Sequence, residues 1–118
     1  MDGVASRSER QFKARIVHLI MGQKTEEALE LLSRYHHVPM PKLKIGMPKG
    51  DVKHQGCYVA RNETIYIAQR DNLYNPYIVL HEFYHHLRTK GATHRGTEKN
   101  ADKFAKDYIA TYYEFFAA

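Results

Sequence analysis

The sequence predicts a single α+β domain of 118 residues. Three observations carry this: helical periodicity before residue 40, period-two patterning in the middle third, and helix punctuation again from residue 75 onward. The expected order is N-terminal helices over 1–40, then a core over 41–118 holding a small antiparallel sheet of about three strands and two further helices. A chain of this length fits one domain and one modest core, for which a bound metal would be a useful staple.

From Ser8 to Met21 the apolar residues Phe12, Ile16, Leu19 and Ile20 recur at helical spacing, and Gly22 is the expected stop. Thr25 is the expected cap of a second helix, with Glu26 and Glu27 favoured by the dipole in its first turn. Its inward stripe reads Ala28, Leu31, Leu32 and Tyr35, and Pro39 and Pro41 end the pattern. Leu43 and Ile45 alternate with lysines and suggest a strand, followed by a polar loop from Gly46 to Gln55. Cys57 to Ala60 and Thr64 to Ala68 read as two strands joined by a turn at Arg61, Asn62 and Glu63. Asn75 is a good cap and Pro76 suits a first helical position, so a helix over Tyr77 to Lys90 is expected, ending at Gly91. Thr97 is the expected cap of a last helix, whose stripe is Phe104, Tyr108, Thr111, Tyr112 and Phe115. Tyr113 and Phe116 widen its aromatic surface, a candidate contact for an oligomer.

Composition narrows the function classes. The single cysteine, Cys57, cannot form an intrachain disulfide. Residues Met1 to Arg10 are polar, and no apolar run approaches the roughly 20 residues of a membrane span, so a cytoplasmic protein is expected, with no membrane partner. The net charge of +5 is spread along the chain rather than blocked, which permits nucleic acid as a partner without requiring it.

Residues His81-Glu82-Phe83-Tyr84-His85 form an H-E-x-x-H string. On a helix, residues four apart differ by about 40° around the axis and about 6 Å along it, so both imidazoles can reach one ion. Glu82, turned by about 100° from His81, can lie beside the ion without ligating it, as a catalytic base must. Ile78, Val79, Phe83 and Leu87 supply an apolar anchor for this helix. Zinc needs at least one more protein ligand, and Glu98 is the candidate. Asp102, four residues on, suits the outer nitrogen of a liganding histidine, and the small Ala101 lets the two helices approach. Glu98 also reads as an ordinary first-turn acid, and Asp102 as a surface charge. His86 points away from the pair, and His36, His37 and His54 have no partner spacing.

The run Val79 to Leu87, followed by Glu98-Lys99-Asn100-Ala101-Asp102-Lys103-Phe104-Ala105, resembles the gluzincin metallopeptidases. It is most similar to the short minigluzincins and the ImmA/IrrE-type peptidases, and Gly56-Cys57-Tyr58 and Thr64-Ile65-Tyr66-Ile67 resemble their sheet. The resemblance covers roughly residues 40–110 and implies a minimal zincin-like fold. It also implies zinc held by His81, His85 and Glu98, with Asp102 behind a ligand and Glu82 as acid/base in the hydrolysis of peptide or protein substrates. Likeness to the minigluzincins implies that a latent form is open to this chain. No residue matches a fixed oxyanion stabiliser, and Tyr58, His94 and Tyr108 are the candidates. Two other readings stand beside this one: a non-catalytic, zinc-stabilised binding module, and a DNA-associated protease resembling the SprT-like type. A nuclease of the His-hydrophobic-His type is set aside, because His85 and His86 are adjacent on a helix.

Overall fold

In the computed structural model, which describes residues 6–50, 54–90 and 98–117, two helices lead into three short strands and then two more helices. The α+β class and the order of its parts agree with the sequence. Helix α1 (Arg7–Met21) starts at Ser6, whose Oγ accepts the Glu9 amide at 3.0 Å, and stops at Gly22, whose amide bonds back to His18. Its inner face is Ala14, Ile16, Val17, Leu19 and Ile20.

Helix α2 (Thr25–His36) departs from expectation at its start. Lys24 holds the cap position, and the Thr25 hydroxyl instead donates to the Leu73 carbonyl at 2.5 Å. Thr25 is buried against the 3-10 turn Arg70–Tyr74, whose Leu73 carbonyl accepts this hydrogen bond. The inner face is also rotated by about one position: Ala28, Leu29, Leu32 and Ser33 are buried, Leu31 is half-buried and Tyr35 is exposed, stacked on Phe12.

Strands β1 (Lys42–Ile45), β2 (Gly56–Val59) and β3 (Thr64–Ile67) form one sheet in the order β1-β3-β2. β2 and β3 are antiparallel, as expected, but β1 pairs parallel to β3 with Leu43 opposite Ile65, so the sheet is mixed. This alignment brings the end of β1 and the start of β2 to the same end of β3. The connecting loop then crosses two strand spacings, roughly 10 Å, rather than travelling the length of the sheet. A 3-10 turn, Ala60–Asn62, and Glu63 in the left-handed conformation (φ 52°) close the β2–β3 hairpin.

Helix α3 (Pro76–Lys90) lies against β2 and β3, and helix α4 (Glu98–Ala117) packs along both α1 and α3. Ile65, Ile67, Val79, Leu80, Phe83 and Leu87 are fully buried where sheet and helices meet. Each such aliphatic or aromatic side chain contributes about 1.5–3 kcal/mol on leaving water, an upper figure because unfolded chains already bury some surface. Ala101 and Ala105 are fully buried on α4, so the backbones of α3 and α4 meet without intervening bulk. The predicted α4 stripe holds at Tyr108 and Thr111 but runs out at Phe115, which is exposed like Tyr113 and Phe116. Among the described residues no helix is long and apolar enough to cross a membrane.

Candidate metal centre

The site is built on α3, whose start is fixed as the sequence indicated. Pro76 is the first helical residue, and the Asn75 carboxamide oxygen accepts the Tyr77 amide at 3.0 Å. The expected helix stop Gly91, the cap Thr97 and the oxyanion candidate His94 lie outside the described residues. From this start, residues 77, 81 and 85 follow at four-residue steps and fall on one face.

That face meets the first turn of α4. The His81 and His85 rings stand 5.1 Å apart between centroids. His81 Nε2 lies 3.0 Å from Glu98 Oε2, and His85 Nε2 lies 2.8 Å from Glu98 Oε1. Among the described residues, one ligand atom from each of His81, His85 and Glu98 lies within 4.8 Å of the others. Glu98 is the first residue of α4, where the helix dipole favours a carboxylate. A first-turn acid in this place can therefore face both histidines. Its side chain is 75% exposed, which leaves the group open on the solvent side.

Behind His81 sits Asp102, with Oδ1 3.0 Å from His81 Nδ1. The distance suits a hydrogen bond, but the alignment does not meet its angle, since Nδ1 counts as a buried atom without a hydrogen-bond partner. At this distance the Asp102 carboxylate lies directly against Nδ1. The tyrosine Tyr77 donates its phenolic proton to the same Asp102 Oδ1.

Counting protons tests whether a metal fits. Three ring nitrogens face carboxylate oxygens: two on His81 and one on His85. A neutral imidazole carries only one N–H, so two neutral rings leave one nitrogen lone pair against an acid. An extra proton or a cation balances that contact. Two imidazole nitrogens and one carboxylate oxygen are the donor set of a zinc site with a coordination position left open. Magnesium and calcium favour all-oxygen shells. The residues present fit zinc.

Glu82 is buried, 8% exposed, and lines the same cleft of about 620 Å³ as His81, His85 and Glu98. Its other wall is β2, which approaches α3 so closely that any side chain at position 56 would force a shift. A Cβ there would stand 2.8 Å from Ile78 Cγ2 and 3.3 Å from Glu82 Cγ. Cys57 and His54 also line the cleft, although His54 has no partner spacing in the sequence. Cys57 is not in the group that could hold an ion.

The other face of α3 carries His86, which is fully buried. Its Nε2 lies 2.6 Å from the Pro39 carbonyl, which can only accept, so Nε2 carries the proton. Nδ1 must then accept, and the Tyr58 hydroxyl donates to it at 2.7 Å. That commits the single proton of Tyr58, which therefore does not serve as an oxyanion donor in this arrangement. Tyr108 does not serve either: it is 3% exposed inside the core, with its hydroxyl 3.4 Å from His36 Nε2.

The electrostatics follow these contacts. Burial is the main cause holding the His85 pKa below its ordinary value, against the opposing pull of Glu98. The hydrogen bond from Tyr77 is the main cause keeping the Asp102 carboxyl below its usual range, helped by His81. The same bond, with burial, pushes the Tyr77 phenol up to about 12. Sequence reasoning passed over Tyr77 and the close approach at Gly56. The signal for Tyr77 was available: it stands four residues before His81, on the face the two histidines share.

Comparison of the chain with known protein families, with curated proteins and with solved structures gives no match. Function is therefore argued from the site itself.

Proposed function

We propose that this protein is a zinc-dependent peptidase of the gluzincin type, with His81, His85 and Glu98 as the metal ligands and Glu82 as general base. One observation carries the reading: two imidazole Nε2 atoms from α3 converge on the Glu98 carboxylate from α4, beside a buried glutamate, in an open cleft. A site built only for stability has no use for Glu82 in that place. The non-catalytic alternative would gain from a fourth protein ligand closing the shell, and among the described residues Cys57 lies outside the ligand group.

Zinc bound by these three residues supplies Lewis acidity, which makes water a better nucleophile near neutral pH and polarises a carbonyl. Glu82 takes the proton released as water attacks the peptide carbonyl and returns it to the leaving amine. Asp102 holds His81 with its Nε2 facing the cleft. β2 ends the sheet on the cleft side, with α3 beside it. Its outer edge can pair with an extended peptide, giving affinity through main-chain hydrogen bonds with little demand on sequence. A protein or peptide substrate and a cytoplasmic setting, in which Cys57 stays reduced, complete the proposal.

The test compares wild type with Glu82→Gln by metal analysis and by cleavage of a mixed peptide library. Both proteins are expected to hold one zinc, while turnover falls by about 10²–10⁴-fold in the variant, the range of acid/base catalysis. Equal turnover would remove Glu82 from the mechanism. Zinc uptake with no cleavage by the wild type, even after either terminus is trimmed, would favour the non-catalytic module.

A further inference from the structure

The three side chains Tyr77, Asp102 and His81 form a chain of contacts that the ligand set alone does not require. Tyr77 is the second residue of α3, and its amide is fixed by the Asn75 side chain. The ring stands 5.8 Å from that of His81 between centroids. The phenol donates to Asp102 Oδ1, the same oxygen that lies 3.0 Å from His81 Nδ1. The carboxylate of Asp102 is 37% exposed on a helix surface. Unsupported, such a side chain samples several rotamers and spends part of its time in water.

We infer that Tyr77 is a positioning residue for the metal centre: its hydroxyl pins the Asp102 carboxylate against His81 Nδ1 and so aims His81 Nε2 at the ion. The inference rests on the zinc reading above and goes beyond its ligand set. A carboxylate held 3.0 Å from Nδ1 favours the tautomer with the proton on Nδ1, which leaves the Nε2 lone pair for the metal and makes it more basic. Without the phenol, Asp102 keeps its charge but loses its fixed direction, and zinc affinity falls. Tyr77 also lines the cleft, so a competing role is direct contact with substrate. Measurements on zinc alone, without substrate, separate the two.

The experiment is a double-mutant cycle in zinc affinity, read by competition with a chromogenic chelator on the full chain. The four proteins are wild type, Tyr77→Phe, Asp102→Ala and the double variant, and metal-free unfolding midpoints confirm that each folds. Losing a partner of a liganding histidine costs about 10–100-fold in metal affinity, so Asp102→Ala is expected in that range and Tyr77→Phe near its lower end, about 10-fold. In the Asp102→Ala background Tyr77→Phe is expected to add nothing, because the phenol acts only through that carboxylate. A residue that merely supports the fold would instead lower the metal-free midpoint and weaken zinc by the same factor in both backgrounds. Wild-type affinity in Tyr77→Phe, or equal losses in both backgrounds, overturns the role of Tyr77 and leaves the zinc site standing. A wild type that takes up no zinc overturns both.

Discussion

His85 and His86 are neighbours in sequence, yet they belong to different parts of the molecule. His85 faces the cleft, half-buried, with its Nε2 on an open carboxylate. His86 faces the core and has no exposed surface. Both of its nitrogens are matched to neutral partners, a carbonyl and a hydroxyl. Burial pushes both pKa values down, but only His85 has an opposing carboxylate as the next cause; for His86 it is the hydrogen bond to the Pro39 carbonyl. The lesson concerns partners rather than burial. A histidine matched on both nitrogens by neutral groups has nothing left to give a metal, whereas one aimed at an acid beside a second imidazole has a balance that a cation completes.

The largest effect expected from this contrast is at the cleft. His85→Ala should weaken zinc binding by more than the roughly 100-fold that bounds the loss of an outer partner. Metal-free stability should change little, since the side chain holds no part of the core. Chelator competition and a denaturant melt of the metal-free protein measure the two quantities. Zinc binding within tenfold of wild type would break the comparison from its functional side.

The mirror experiment is His86→Leu, which should leave zinc affinity within a few-fold of wild type and lower stability. The Pro39 carbonyl loses its partner and the Tyr58 hydroxyl keeps only Thr89 Oγ1 at 3.4 Å. An unsatisfied buried polar group costs about 1–3 kcal/mol, an upper figure here because Pro39 is exposed and Tyr58 half-buried. A variant as stable as wild type would mean that water reaches both groups. Loss of zinc at unchanged stability would mean that His86 serves the metal centre after all.

Gly56→Ala addresses the wall between strand and helix. The added methyl would meet Ile78, a β-branched side chain 6% exposed in the core, at 2.8 Å. Relief requires β2 or α3 to shift, at about 1 kcal/mol, the low end for overpacking. The same shift disturbs the cleft between β2 and Glu82, so peptide turnover should fall further than stability alone explains. Unchanged turnover and an unchanged midpoint would show that the wall yields freely.

These contrasts also mark what could be read from the sequence. Four-residue spacing placed His81 and His85 together because helix geometry alone determines it. Asn75 and Pro76 marked the start of α3 because capping is local chemistry. Glu98 and Asp102 were legible only as candidates, since their approach depends on how α4 returns. The parallel pairing of β1, the true partner of Thr25 and the bond from Tyr77 to Asp102 are contacts between segments distant in the chain. No local pattern encodes them. The rotation of the α2 face has the same origin: Leu29 and Tyr35 are both apolar enough to be buried, and tertiary packing placed Leu29 in the core and left Tyr35 at its edge on Phe12.

The smallest expected effect is a pH slope, and it tests the neutral state assigned to His86. Folding holds its pKa below the ordinary value of 6.5, mainly through burial. On acidification the unfolded chain therefore takes up a proton before the folded one does. Stability should be fully present above about pH 6.5 and should decline as pH falls below it, flattening once the folded-state pKa is passed. The slope from one histidine cannot exceed about 1.4 kcal/mol per pH unit. His85 shifts in the same direction in the metal-free protein, so the comparison must be made with and without His86. Denaturant melts of metal-free wild type and His86→Leu between pH 5 and 8 give the difference, and the variant should show the shallower slope. Equal slopes would mean that His86 titrates alike in both states, and burial would then not hold the ring neutral.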